Sequence, residues 1–187
     1  MKTGETEKKI TEEIQIPEGI ETKIEDGNII MRKDDKEIIR KINRIINVKI
    51  QNNKVIVEAK KMTKKDKKMF GTMKAHIKNM INGLTEGFEY KLQVSNVHFP
   101  MNINYNKENN ELVVKNFLGE KKDRRIKLSK NVEVKVDKDI ITIKSFDIEK
   151  AGQTATNIEK GTKVRNRDRR IFQDGIFIIE KPGRNYL

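Results

Sequence analysis

The chain contains no cysteine and no tryptophan, and aromatic residues make up only 5% of its 187 residues. The missing cysteine excludes disulfides, thiolate metal sites and cysteine nucleophiles. So few rings make base-stacking platforms a minor mode of any nucleic-acid contact. No apolar run approaches the roughly 18 residues of a membrane span, and the opening "MKTGETEKKITEE" carries no apolar leader. A soluble, cytoplasmic protein with no membrane partner is expected. Enzyme signatures are also missing: there is no G-x-x-x-x-G-K-[ST], no G-x-S-x-G and no H-E-x-x-H. His76 and His98 have no carboxylate or second histidine at ligand spacing, so neither reads as a metal ligand. No metal, cofactor or small-molecule substrate is expected.

What is abundant is charge. Charged residues make up 37% of the chain, against roughly a quarter in an average domain, and the formal net charge is +13. Apolar residues are only 35%, so each core must be small, yet they are patterned rather than scattered. The excess charge is local. Residues 1–62 and 88–159 are each near balance at +2, whereas 63–87 carry +4 and 160–187 carry +5. Cations concentrated in two short segments favour a docking surface for a polyanion, nucleic acid before acidic membrane.

The chain reads as doubled. "IQIPEG" (14–19) is echoed by "VHFPMN" (97–102), with Pro17 and Pro100 83 residues apart. "DGNIIMR" (26–32) is echoed by "NNELVVK" (109–115), and "NVKIQNNKVIVEA" (47–59) by "NVEVKVDKDIITIKS" (131–145). The last pair are alternating runs about a polar turn, the signature of a hairpin with one buried face. Each copy then turns helical. Thr63 and Asp66 have capping-box spacing, with Met69, Met73, Ile77, Met80, Ile81 and Leu84 at helical spacing and Gly83 as a stop. Asp147 caps a second helix bearing Ile148, Ala151, Ala155 and Ile158, which ends near Gly161. A strand follows each helix, "GFEYKLQV" (87–94) and "GIFIIE" (175–180). The expected fold class is α+β: two tandem homologous domains, 1–87 and 88–187, each a small, mostly antiparallel sheet with a helix on one face.

Candidate functional residues cluster near the end. In "KVRNRDRRIFQDGIF", Lys163, Arg165, Arg167 and Arg169 fall on every second residue, so an extended chain would put all four on one side. Arg170 breaks the alternation, Phe172 can anchor the turn, and Asp174-Gly175 reverses direction into a strand. Arginine's planar fork suits phosphate oxygens. A second basic cluster, "NFLGEKKDRRIKL" (116–128), occupies the equivalent loop; both runs are either held surfaces or free loops. Lys64, Lys65, Lys67 and Lys68 on the first helix are either a solvated face or a secondary phosphate contact. The methionine stripe reads as core rather than partner groove. A rival class, a small RNA-processing enzyme, would need an acid–base pair, and Glu120 near Arg124 and Arg125 is the one tempting place.

At these residues the chain resembles the large-subunit ribosomal protein L-six family in its archaeal and eukaryotic form. The family's C-terminal pattern is met by Val164, Arg167, Arg170, Phe172, Asp174, Gly175, Ile176, Ile178 and Lys181. Phe177 stands for the usual Tyr, and Lys160 for a Gln. "HFPMNI", "NFLGEKKDRRIKL" and "IKNMINGLTEGFEYK" also resemble family stretches. Residues 31–46, "MRKDDKEIIRKINRII", depart from it, lacking a Gly-rich basic loop. The resemblance implies a structural, non-catalytic protein of the large subunit that docks on rRNA near the sarcin–ricin loop and the factor-binding region. Its C-terminal domain would make the main contacts, beside neighbouring ribosomal proteins and not as a homo-oligomer. The rRNA-binding set expected is Lys163, Arg165, Asn166, Arg167, Arg169, Arg170, Asp174, Gly175 and Lys181, with Gly119, Lys121, Lys122, Arg124 and Arg125 from the second cluster.

Overall fold

A computed structural model describes residues 10–59 and 63–186. Most of the N-terminal extension, read above as lacking a leader, lies outside the described residues. Contacts divide the chain into two compact units, Met1–Glu86 and Gly87–Leu187.

In the first unit, β1 (Ile10–Gln15), β5 (Ile46–Gln51) and β6 (Lys54–Ala59) form an antiparallel sheet in the order β1-β6-β5. The β5–β6 hairpin closes on Asn52 and Asn53, both at positive φ (45° and 60°). Asparagine tolerates that region, and two such residues match the twist of the flanking strands. On β6 the alternation is strict: Val55, Val57 and Ala59 are fully buried. Against this sheet lies α1 (Lys64–Thr85), burying Phe70, Met73, Ile77, Met80, Ile81 and Leu84. Burying such a side chain fully stabilises by about 1.5–3 kcal/mol. The capping box at its start is complete, with Thr63 accepting from the Asp66 N–H at 3.2 Å and Asp66 accepting from the Thr63 N–H.

A second sheet in this unit runs β2 (Glu21–Glu25), β3 (Asn28–Lys33) and β4 (Lys36–Lys41), again antiparallel. This adds to the expectation of one sheet per domain. Residues 36–41 are a strand although only Ile38 is buried there, so its apolar signal is too thin to read. Two helix details also differ. Met69 is only half-buried and Phe70 takes the core position. The helix passes through the buried Gly83 and stops at Gly87, whose φ of +78° suits the reversal.

The second unit repeats the plan and extends it. Its first strand is β7 (Phe88–Ser95), the "GFEYKLQV" run. That strand follows α1 in sequence but pairs with β12 (Ile140–Ser145) on one side and β13 (Gly175–Lys181) on the other. With β11 (Glu133–Asp137) and β14 (Arg184–Asn185) it forms a five-stranded antiparallel sheet ordered β11-β12-β7-β13-β14. So β7 corresponds to β1, not to β13, and β13 has no counterpart among the described residues of the first unit. The small sheet β10-β9-β8 is built from β8 (Asn102–Asn106), β9 (Glu111–Lys115) and β10 (Arg124–Lys127). α2 (Ile148–Gly161), capped by Asp147 accepting from the Glu149 N–H, packs Ala151, Ala155 and Ile158 onto β7, β12 and β13. Leu92, Ile141, Ile143, Ile158 and Ile176 have no exposure at all. The fold class is α+β, with a doubled antiparallel plan.

No helix among the described residues is long and apolar enough to cross a membrane.

Candidate nucleic-acid interface

The basic run lies between α2 and β13, and it is an irregular loop rather than an extended strand. Two features break the alternation. Asn166 sits at φ +56°, and a turn forms about Asp168, which accepts from the Phe172 N–H at 2.9 Å through its carbonyl and from the Arg170 N–H at 2.9 Å through its side chain. The four cations therefore do not share one side as extended geometry would require. All four are nonetheless exposed, Lys163, Arg165, Arg167 and Arg169, and so are Asn166 and Arg170. Among the described residues the side chains of Lys163, Arg165, Arg169 and Arg170 enter no salt bridge.

The loop is held at its end by Asp174, which is 1% exposed. Its Oδ1 accepts from the N–H groups of Val97 at 3.0 Å and His98 at 2.9 Å, and its Oδ2 lies 2.6 Å from His98 Nδ1. Burial is the largest single influence on this carboxyl and would raise its pKa. The bonds from His98 and Val97 together outweigh it and hold the group below the ordinary aspartate value. An ionised carboxylate only accepts, so the His98 Nδ1 carries the proton. The His98 ring stacks on Phe172 at 4.8 Å, and the Arg167 guanidinium sits 4.8 Å from the same ring. A buried acid is thus tied to an exposed arginine through two rings. Asp174 is almost fully buried, and its carboxylate is taken up by these donors.

Arg124 plays the matching part at the loop's start. Its Nη1 donates to the carbonyls of Gly161 at 3.0 Å and Lys163 at 3.2 Å, while Nε and Nη2 fork onto Glu120. Its guanidinium lies 3.8 Å over the Phe117 ring. These bonds bring the two basic clusters together and occupy Arg124 within the fold. The hydrogen bonds from Arg124 in turn hold Glu120 below the ordinary carboxylate range, the opposite of what a general acid or base near neutrality needs.

Thr162 completes the frame. Buried at the end of α2, its hydroxyl donates to the Ile158 carbonyl and accepts from the Ile176 N–H, each at 3.1 Å. Gly161 passes so close to β10 that a Cβ there would stand 2.6 Å from Ile126 Cδ1. Gly175 is buried under the Phe177 ring, 3.0 Å from where its own Cβ would be.

The remaining expected residues divide. Gly119, Lys121, Lys122 and Arg125 are exposed beside Arg124 on the same small sheet and its leading turn. Lys181 is at the far end of β13, about 20 Å from Gly175 at strand rise, and lies over the Tyr186 ring at 5.2 Å. Lys64, Lys65, Lys67 and Lys68 are exposed on the first turns of α1, in the other unit. His98, Phe117 and Thr162 were not expected. The one available signal was Asp174 itself: a lone acid between a basic run and a core strand needs buried donors.

Among the described residues no group of histidines and carboxylates is placed to hold a metal ion. The geometry defines a class: a small basic α+β protein of two compact units, with exposed guanidinium groups on a loop tied into the fold at both ends. A family model described as ribosomal protein L6 matches residues 99–175, the stretch from the β7–β8 connection through the basic loop. Large ribosomal subunit protein uL6 of Methanococcus vannielii is 42% identical over 176 residues, 94% of this chain and 96% of its own. That of Methanobrevibacter smithii is 42% identical over 174 residues, 92% and 96%. That of Desulfurococcus amylolyticus is 40% identical over 175 residues, 92% and 95%. The chain belongs to the ribosomal protein L6 family, the large-subunit proteins called uL6.

Proposed function

We propose that this protein binds large-subunit rRNA through the loop 163–170 and the flanking residues Gly119, Lys121, Lys122 and Arg125, near the sarcin–ricin loop and the factor-binding region. As a family member it is a structural constituent of the large ribosomal subunit and not an enzyme, and it works in the cytoplasm where those subunits act. The observation that carries the reading is the exposed set Lys163, Arg165, Arg169 and Arg170, which form no salt bridge among the described residues, on a loop fixed at both ends by Arg124 and Asp174. Holding cations in place without satisfying them leaves their charge for phosphate, and the pinning lowers the ordering cost of binding. RNA helices are recognised mainly by shape, phosphates and 2′-hydroxyls, so most of this surface is indifferent to sequence. The lysines at 64, 65, 67 and 68 supply a secondary basic contact, and Lys181 a peripheral one. Asp174, Gly175 and Arg124 support the surface rather than touch the RNA. Neighbouring large-subunit proteins are the remaining partners.

The test is sedimentation of cell extract. The protein should travel with large subunits and remain there at moderate salt. Recovery at the top of the gradient while intact subunits sediment would contradict the role.

A further inference from the structure

We infer that the cleft between the basic loop and β13 receives one unpaired RNA base, laid against Phe177; this rests on the rRNA reading above. The cleft has a volume of about 800 Å³, within the range of small-ligand pockets. Its walls combine two chemistries. Phe172, Phe177 and Val164 give an apolar side, and Lys160, Lys163, Arg169 and Arg170 give a cationic one. The two carboxylates that also line it are engaged in the fold, Glu159 by the Ile178 N–H and Asp174 by Val97 and His98. A site for bare phosphate has no use for two rings, and a site for an apolar side chain has no use for four cations. A base with its own phosphates uses both.

Phe177 is the unusual member. It is 40% exposed although its neighbours Gly175 and Ile176 are buried and its strand is paired to β7 opposite Gln93. The tip of its ring rests on Gly175, where a Cβ would stand 3.0 Å from Cζ. The ring is therefore held at one end by bare backbone and opens into the cleft, ready for stacking without further ordering. Gln173 and Ser95 also line the cleft and offer donors and acceptors to a base edge. Drawing a base from a duplex costs a few kcal/mol of unstacking, so the occupant is a nucleotide already unpaired in a loop or bulge. Sequence preference enters here, on a surface otherwise blind to sequence.

The experiment uses the full chain and two probes, a transcript of the sarcin–ricin region of large-subunit rRNA and a fully paired RNA of equal length. Phe177→Ala should weaken transcript binding about 10- to 100-fold while leaving the salt dependence and the duplex affinity unchanged. Phe177→Ile, which keeps an apolar side chain suited to a strand but has no ring face, should lose as much, and Phe177→Trp should restore binding. Among transcripts made abasic at single unpaired positions, one should weaken wild-type binding and not weaken Phe177→Ala further. Unchanged transcript affinity in both the Ala and Ile variants overturns the pocket and leaves the rRNA reading standing. Equal loss on both probes overturns it too, because that marks a loosened fold. Failure of the wild-type chain to bind the transcript at low salt overturns the rRNA reading, and the pocket falls with it.

Discussion

Asp174 and His98 stand 76 residues apart in sequence and 2.6 Å apart in space. One carboxylate there takes up two backbone N–H groups and a ring nitrogen, joining the β7–β8 connection to the loop that carries the arginines. The pairing is what turns a charge run into a surface, because the stacked His98 and Phe172 rings stand between this acid and Arg167.

Replacing Asp174 by Asn keeps the shape but loses the charge. The Val97 and His98 donors would be left facing a weaker acceptor or an amide N–H. The expected loss is about 1.5–3 kcal/mol, the range for a hydrogen bond to a charged group. Urea unfolding of the variant against wild type measures it.

The same carboxyl has a pH signature. Its folded-state pKa is lowered, so its contribution is fully present above the ordinary aspartate value and is lost as pH falls through the lower folded value. The stability gap between wild type and Asp174→Asn should be constant from neutrality down to about pH 4 and close below it. Urea midpoints of both proteins across that range test the sign; a gap that widened on acidification would contradict it.

Arg124 makes a case where lysine cannot stand in. A lysine can meet Glu120 or one carbonyl, but not the fork, both carbonyls and the Phe117 face together. The ion pair with Glu120 is partly exposed, Arg124 at 20% and Glu120 at 41%, and contributes at most about 1 kcal/mol. Loss of the carbonyl bonds and the ring contact should cost about 1–3 kcal/mol in both Arg124→Lys and Arg124→Ala. Near-equal melting curves for the two variants, both below wild type, are the expected result.

Gly161→Ala should also destabilise, although alanine is the better helix former by about 1 kcal/mol. The added methyl would meet Ile126 at 2.6 Å, and overpacking of this kind costs about 1–3 kcal/mol. Ile126→Ala removes both Cδ1 and Cγ1, the two atoms at 2.6 Å, so Gly161→Ala should cost less in that background than in wild type. Denaturant midpoints of the single and double variants decide it.

Much of this was legible in the residues. The β5–β6 and β11–β12 hairpins announce themselves by alternation, and Thr63, Asp66 and Asp147 mark the helix starts. Local signals of that kind survive folding because propensity, pattern and burial agree. The strand β4 was not legible because it buries a single side chain. The partners of β7 were not legible either: sequence order placed it after α1, while long-range pairing gave it to β12 and β13. At the site, charge density located the loop, but alternation misjudged its shape, since Asn166 and the Asp168 turn bend a chain that its spacing leaves straight. The division of labour among cations was invisible. Arg124 and Arg125 are neighbours of one type, and only the carbonyls of Gly161 and Lys163 show which one is used inside.

The most direct test of the central claim is the salt dependence of rRNA-fragment binding by wild type and by the triple variant Arg165→Ala, Arg167→Ala, Arg170→Ala. Three fewer phosphate contacts should flatten the slope of log affinity against log salt by roughly 2–3 and weaken binding, with stability lowered only by the lost Arg167 contact on Phe172, about 0.5–1 kcal/mol at an exposed site. Wild-type affinity and slope in the triple variant would contradict the account.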